Sequence, residues 1–210
     1  VWAVASATIS AQSLPSAQSG QSAQAVVDRV VAIVGEQVIT LSDVRAAEAL
    51  GLIEGAVALT REQLVTRLID RELMRAEVER FGAAEIAPAV IDARVQAVRA
   101  RLSSAAAFAA ALEAHGLSEA RFRAWLLDDA RIDQYVQQRF GAAAQPTDEE
   151  VLQYYLSRER EFAVDGRPRP FADVADEVRQ RLLASRRQAM IEDWIAGLRR
   201  RTTVAVKDRP

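Results

Sequence analysis

Carboxylates are the side chains of this sequence best suited to chemistry, and they cluster at Asp128-Asp129 and at Asp148-Glu149-Glu150. Two neighbouring carboxyls can share acid and base work when burial drives their proton affinities apart. Neither run is placed for that. Thr147 stands three residues before Glu150, which is the spacing of a reciprocal helix cap, and Asp148 and Glu149 then fall where a helix dipole favours negative charge. Asp128 and Asp129 read as part of a solvated helix face. His115 is the only histidine; it precedes Gly116 at a helix end, where an imidazolium suits the dipole. There is no cysteine, which excludes disulfides, thiolate nucleophiles and thiolate-ligated zinc. The chain has no glycine-rich phosphate loop, no GxSxG elbow and no HExxH pair. No catalytic residue, no metal site and no cofactor is therefore expected.

The apolar residues are more informative. The stretch GLIEGAVALT, from Gly51 to Thr60, puts Leu52, Ile53, Val57 and Leu59 on a connector with two glycines. Such residues either fold back on the core or stay partly exposed as an interaction surface. With Trp125, on a helix face further along, they are the candidate binding residues.

The elements that must carry these residues are mostly helical. Val27 to Val34 is a β-rich run, Gly35-Glu36 has the glycine-first pattern of a type II′ turn, and Gln37 to Thr40 returns as a second strand. Thr40 with Asp43, Thr60 with Gln63 and Thr147 with Glu150 have capping-box spacing, and Ser118 can also cap a helix. Apolar stripes at helical spacing follow: Leu64, Leu68, Ile69 and Leu73; Ile91, Val95, Val98 and Leu102; Phe122, Trp125, Leu126, Ile132 and Val136. A shorter helix around Phe108 and Leu112 ends at Gly116. DGRPRP, residues 165–170, reads as a loop, because two prolines and a glycine break a helix. A long last helix, about residues 171–200, carries Val174, Val178, Leu182, Ala189, Trp194, Ile195 and Leu198, and Thr202 to Val206 alternates as a strand. Lone strands need partners. A helical body with strands at its two ends must bring those ends together.

Of 210 residues, 50% are apolar, enough for a sizeable core, and only 6% are aromatic. The formal net charge of −2 carries none of the basic surplus of a nucleic-acid binder. VWAVASATISAQS at the start resembles the remnant of a secretory signal peptide, with Ile9-Ser10-Ala11 like a cleavage site, and residues 12–24 are a Ser/Gln/Ala spacer. Residues 1–25 are accordingly set outside the fold, residues 26–206 form one helical domain, and 207–210 are a tail. No apolar run long enough to span a bilayer follows the leader, so no stable membrane insertion is expected.

Several of these segments together resemble the SurA-type periplasmic chaperones. They are VVDRVVAIVGEQVITLSDV (Val26 to Val44), LVTRLIDREL (Leu64 to Leu73), GLSEARFRAWL (Gly116 to Leu126) and the closing FADVADEVRQRLL and IEDWIAGLRRRTTVAV. The resemblance implies a mostly α, SurA N-terminal-like helical chaperone domain, with a small β-sheet made by the N-terminal hairpin and the C-terminal strand. It implies a periplasmic, ATP-independent holdase whose partners are unfolded exported polypeptides, outer-membrane proteins among them, and it is compatible with a monomer. Leu52, Ile53, Val57, Leu59 and Trp125 become the candidate client-binding residues. Many members carry parvulin-type prolyl isomerase domains before the last helix; here that place is the short stretch from Ala163 to Pro170, so isomerase activity is not expected. The alternative is a helical scaffold or assembly subunit with one fixed protein partner.

Overall fold

The computed structural model describes residues 28–207. The leader and spacer expected over residues 1–25, and positions 208–210 of the tail, lie outside the described residues.

The two ends meet. Strand β1 (Val30–Val34) pairs antiparallel with β2 (Gln37–Thr40) on one side and with β5 (Val204–Val206) on the other, so the sheet order is β2-β1-β5. Ile33 lies opposite Ala205 and Val34 opposite Val204. Gly35 takes φ +58°, the positive value that a tight hairpin needs at its first turn residue and that a side chain resists. Its N–H donates to the Thr203 carbonyl at 2.9 Å, so the turn also fastens the chain leaving the last helix. A bulge between Val30 and Ala32 breaks the alternation of β1, and Val31 and Ala32 are both fully buried.

Seven α-helices follow among the described residues: α1 (Leu41–Ala49), α2 (Arg61–Arg80), α3 (Pro88–Arg99), α4 (Ala105–Ala114), α5 (Glu119–Phe140), α6 (Asp148–Ser157) and α7 (Phe171–Arg201). Thr40–Asp43, Thr60–Gln63 and Thr147–Glu150 form the expected capping boxes at the starts of α1, α2 and α6, and Ser104 and Ser118 cap α4 and α5. Substituting such a cap by alanine costs about 1 kcal/mol.

Packing divides into three clusters. The main one joins the sheet to α1, α2, the second half of α5 and the end of α7, around Val31, Leu68, Leu73, Trp194 and Leu198. A second holds α3 and α4 against the first half of α5, with Phe108 edge-on to the fully buried Phe122 at 5.3 Å between ring centroids. The third is an arm made of α6 and the first half of α7, packed through Val151, Tyr155, Phe162, Val174 and Val178.

DGRPRP departs from the expected loop. Ala163–Val164 (β3) and Arg167–Pro168 (β4) form a minimal antiparallel hairpin. Asp165 and Gly166 both take positive φ, +50° and +76°, as a type I′ turn requires. Asp-Gly is the dipeptide such a turn favours, and Pro168 is tolerated because this ribbon has no third strand to receive an N–H. The Tyr155 hydroxyl donates to the Arg169 carbonyl at 2.6 Å and ties the tip to α6.

The apolar stripe of α7 is also interrupted. Its buried residues are Val174, Val178, Leu182, Trp194 and Leu198. Ala189, expected in the core, is exposed, and Ile195 is only half-buried. Between Leu182 and Trp194 the helix crosses a gap between two clusters, and no side chain there is buried.

Candidate functional site

Helix α1 ends in a Schellman motif. The Gly51 N–H donates to the Glu48 carbonyl at 3.2 Å, and that of Leu52 to the Ala47 carbonyl at 2.9 Å. Gly51 takes φ +58°, and a Cβ there would stand 2.8 Å from a guanidinium nitrogen of Arg101. Helix α4 ends the same way: Gly116 takes φ +63°, and the Leu117 N–H reaches the Leu112 carbonyl at 2.9 Å. The residue two beyond a helix end is thus pinned in both cases, and both pinned residues are leucines that line one cavity. This cavity, of about 180 Å³, lies between β2, α2 and the start of α5; Val38, Leu52, Leu68, Leu117 and Trp125 form its apolar wall.

A larger groove, of about 860 Å³, opens between α2, α5 and α7. Its apolar lining is Leu52, Ile53, Met74, Ile132, Ile191 and Ile195. Ile191 and Ile195 come from the stretch of α7 around the break in its buried stripe. Leu52 and Arg71 line both spaces, so they form the wall between them.

Arg71 is 8% exposed and held on three sides. Its Nε donates to Asp129 Oδ1 at 2.6 Å, an Nη donates to the Trp125 carbonyl at 3.0 Å, and the guanidinium carbon lies 3.7 Å from the centre of the indole. Burial pushes the Asp129 carboxyl above its ordinary range, and the Arg71 charge offsets this in part. Beside it in the same groove, Arg199 Nε of α7 donates to Asp70 Oδ1 at 2.8 Å, and burial likewise raises the Asp70 carboxyl. Arg94 of α3 pairs with Asp133 of α5 at 2.8 Å. The groove walls are therefore cross-linked by ion pairs, with apolar side chains between them.

Of the residues singled out from sequence, Leu52 and Trp125 line the smaller cavity, and Leu52 and Ile53 line the groove. Val57 is 89% exposed, on a short 3₁₀ turn, and Leu59 packs half-buried against the main cluster. Val57 and Leu59 border neither space. Leu117, Met74, Ile132, Ile191, Ile195 and Arg71 were not singled out. The glycine cap before Leu117 was a legible signal for that residue; the others lie on ordinary helical stripes. Among the described residues no group of His, Cys, Asp or Glu could hold a metal ion. Nor is any helix among them long and apolar enough to cross a membrane.

Comparison with known proteins gives the following. No family model matches the chain. Over 143 residues, 64% of the chain, it is 31% identical to Chaperone SurA of Bordetella pertussis, with the same figures for Chaperone SurA of Bordetella bronchiseptica. The aligned region covers 27% of each relative, so the chain spans about a quarter of the length of the curated relatives it matches. A solved structure from Campylobacter jejuni, described as that of two structurally related SurA-like chaperones, the virulence factor PEB4 and the periplasmic protein Cj1289, superimposes with a TM-score of 0.53. The superposition covers 87% of this chain and 100% of that one at 12% identity, and it bears out the fold class. The resemblance to SurA-type chaperones drawn from the hairpin and last strand is thus borne out.

Proposed function

We propose that residues 26–206 form one chaperone domain, an ATP-independent holdase that binds unfolded exported polypeptides, outer-membrane proteins among them, in the periplasm and without prolyl isomerase activity. The observation that carries the reading is the junction at Leu52. A half-enclosed cavity with apolar and charged walls and a larger open groove meet there, and Leu52, Ile53, Trp125 and Ile191 among their lining are only partly buried. An extended client segment laid along the groove removes apolar area from water at about 25 cal/mol per Å². Such binding is spread over many weak contacts and lets go without nucleotide.

Leu52, Ile53 and Trp125 are the proposed contact residues from the sequence, joined by Leu117, Ile191 and Ile195. Val57 stands free at the connector for first contact, and Leu59 anchors that connector to the core. The absence of isomerase activity is supported by the tip of the arm, where a two-residue turn occupies the place of the family's inserted domain. Export and a periplasmic setting are supported by the similarity to SurA and by the leader-like sequence.

The test is suppression of aggregation of an urea-unfolded porin by the purified protein, with photoreactive groups at Leu52, Ile53 or Trp125. The expected result is suppression at equimolar ratio and crosslinks to client. No effect at several-fold excess refutes the holdase. Capture of one stoichiometric folded partner instead would favour a scaffold subunit. A proline-peptide assay should give the uncatalysed rate.

A further inference from the structure

The charges along the large groove are numerous and nearly balanced. Five carboxylates, Glu54, Asp70, Asp129, Asp133 and Glu192, face four guanidiniums, Arg67, Arg71, Arg94 and Arg199. The fully ionised groove thus carries a formal surplus of one negative charge. Two of the carboxylates differ from the rest. Asp70 and Asp129 are largely buried, with 16% and 23% of their side chains exposed. Asp129 faces Arg71 of α2, Arg94 of α3 and Asp133 of its own helix; Asp70 faces Arg199 of α7 and Arg67 of its own helix. Guanidinium groups do not lose their charge in proteins. Neutralising these two carboxyls therefore turns the surplus from one negative to one positive charge, within a single cavity.

We propose that this groove selects client segments by charge: it favours extended apolar segments flanked by basic residues, and neutralising Asp70 and Asp129 turns that preference toward segments flanked by acidic ones. The proposal rests on the groove being the client-binding surface. Burial pushes both carboxyls up, so they take protons before an ordinary aspartate does. A raised carboxyl is more readily protonated in the folded state than in the unfolded one, so these two groups favour the fold as pH falls through their folded values. The change in selection is thus not a by-product of unfolding through these groups.

The experiment uses three fluorescent peptides with one apolar core, flanked by arginine, by cysteic acid, or by uncharged serine. Affinities are measured at pH 7.5 for the wild type, for D70N/D129N and for E54Q/E192Q. The second variant removes two negative charges from exposed positions without touching a buried pair, so it stays informative if the first folds poorly. The arginine-to-cysteic preference is expected to fall on the order of tenfold in each variant. A ratio unchanged within twofold in E54Q/E192Q, with the serine peptide still bound, overturns charge selection alone. Failure of all three peptides to bind the wild type overturns the client-groove reading, and this proposal with it.

Discussion

Replacing Arg71 by methionine tests whether the wall between the two cavities is held by its buried ion pair. The substitution keeps most of the side-chain length and removes the charge. It leaves Asp129 with 23% of its side chain exposed and without its close cation. It also strips the guanidinium from 3.7 Å above the Trp125 ring and frees the Trp125 carbonyl. Removing one partner of a buried pair costs about 3–5 kcal/mol. Partial exposure of Asp129 places this site at the lower end, about 3 kcal/mol. For a domain of this size that lowers the melting temperature by about 6–12 °C. The double variant R71M/D129L replaces the pair by apolar groups and should lose about 1 kcal/mol or less, so a double-mutant cycle in urea should return a coupling of about 2 kcal/mol or more. The deficit of R71M should shrink on acidification. Without Arg71 the raised Asp129 carboxyl rises further, the folded protein takes up the proton more readily, and stability climbs as pH falls through that value. A cost of R71M below about 0.5 kcal/mol, or a deficit that grows in acid, refutes the argument.

Two further outcomes follow from local geometry. Gly51→Ala should cost about 1–2 kcal/mol in chemical denaturation and weaken binding of an unfolded client, because the residue takes φ +58° and a Cβ there crowds Arg101; an unchanged denaturation midpoint would show that the cap does not hold Leu52 in place. Glu150 is held down to about 2 by hydrogen bonds from Arg186 and from the Thr147 backbone, so its contribution is present above the ordinary carboxylate range and is lost as pH falls through about 2; Glu150→Gln should flatten the acid limb of the stability curve below pH 4.5, and an unaltered limb would contradict the pairing.

The caps were the most legible part of the fold. A threonine three residues ahead of Asp43, Gln63 or Glu150 leaves the backbone donors of a new helix little alternative, and each reads locally. The meeting of the ends was also legible, because the sequence carries strand patterns only near its two ends and a lone strand needs a partner. Harder to read was the groove, which exists where helices fail to pack. Ile191 and Ile195 have the composition of core residues, yet both stay half-buried along the stretch of α7 between the arm and the main cluster. Arg71 carries no local signal of its burial, which depends on Trp125 and Asp129, more than fifty residues away. The prolines of DGRPRP masked an Asp-Gly turn, since a ribbon without further strands does not need the amides that proline lacks.

The pairing of β1 with β5 has a consequence for synthesis. Val34 and Val204 are separated by about 170 residues, and closing so long a loop costs on the order of 4–5 kcal/mol in chain entropy before any contact repays it. A polypeptide that emerges amino end first can form its hairpin at once, yet one side of β1 stays unsatisfied until Val204 to Val206 arrive. During that interval the nascent protein presents the same kind of bare strand edge that its proposed clients do.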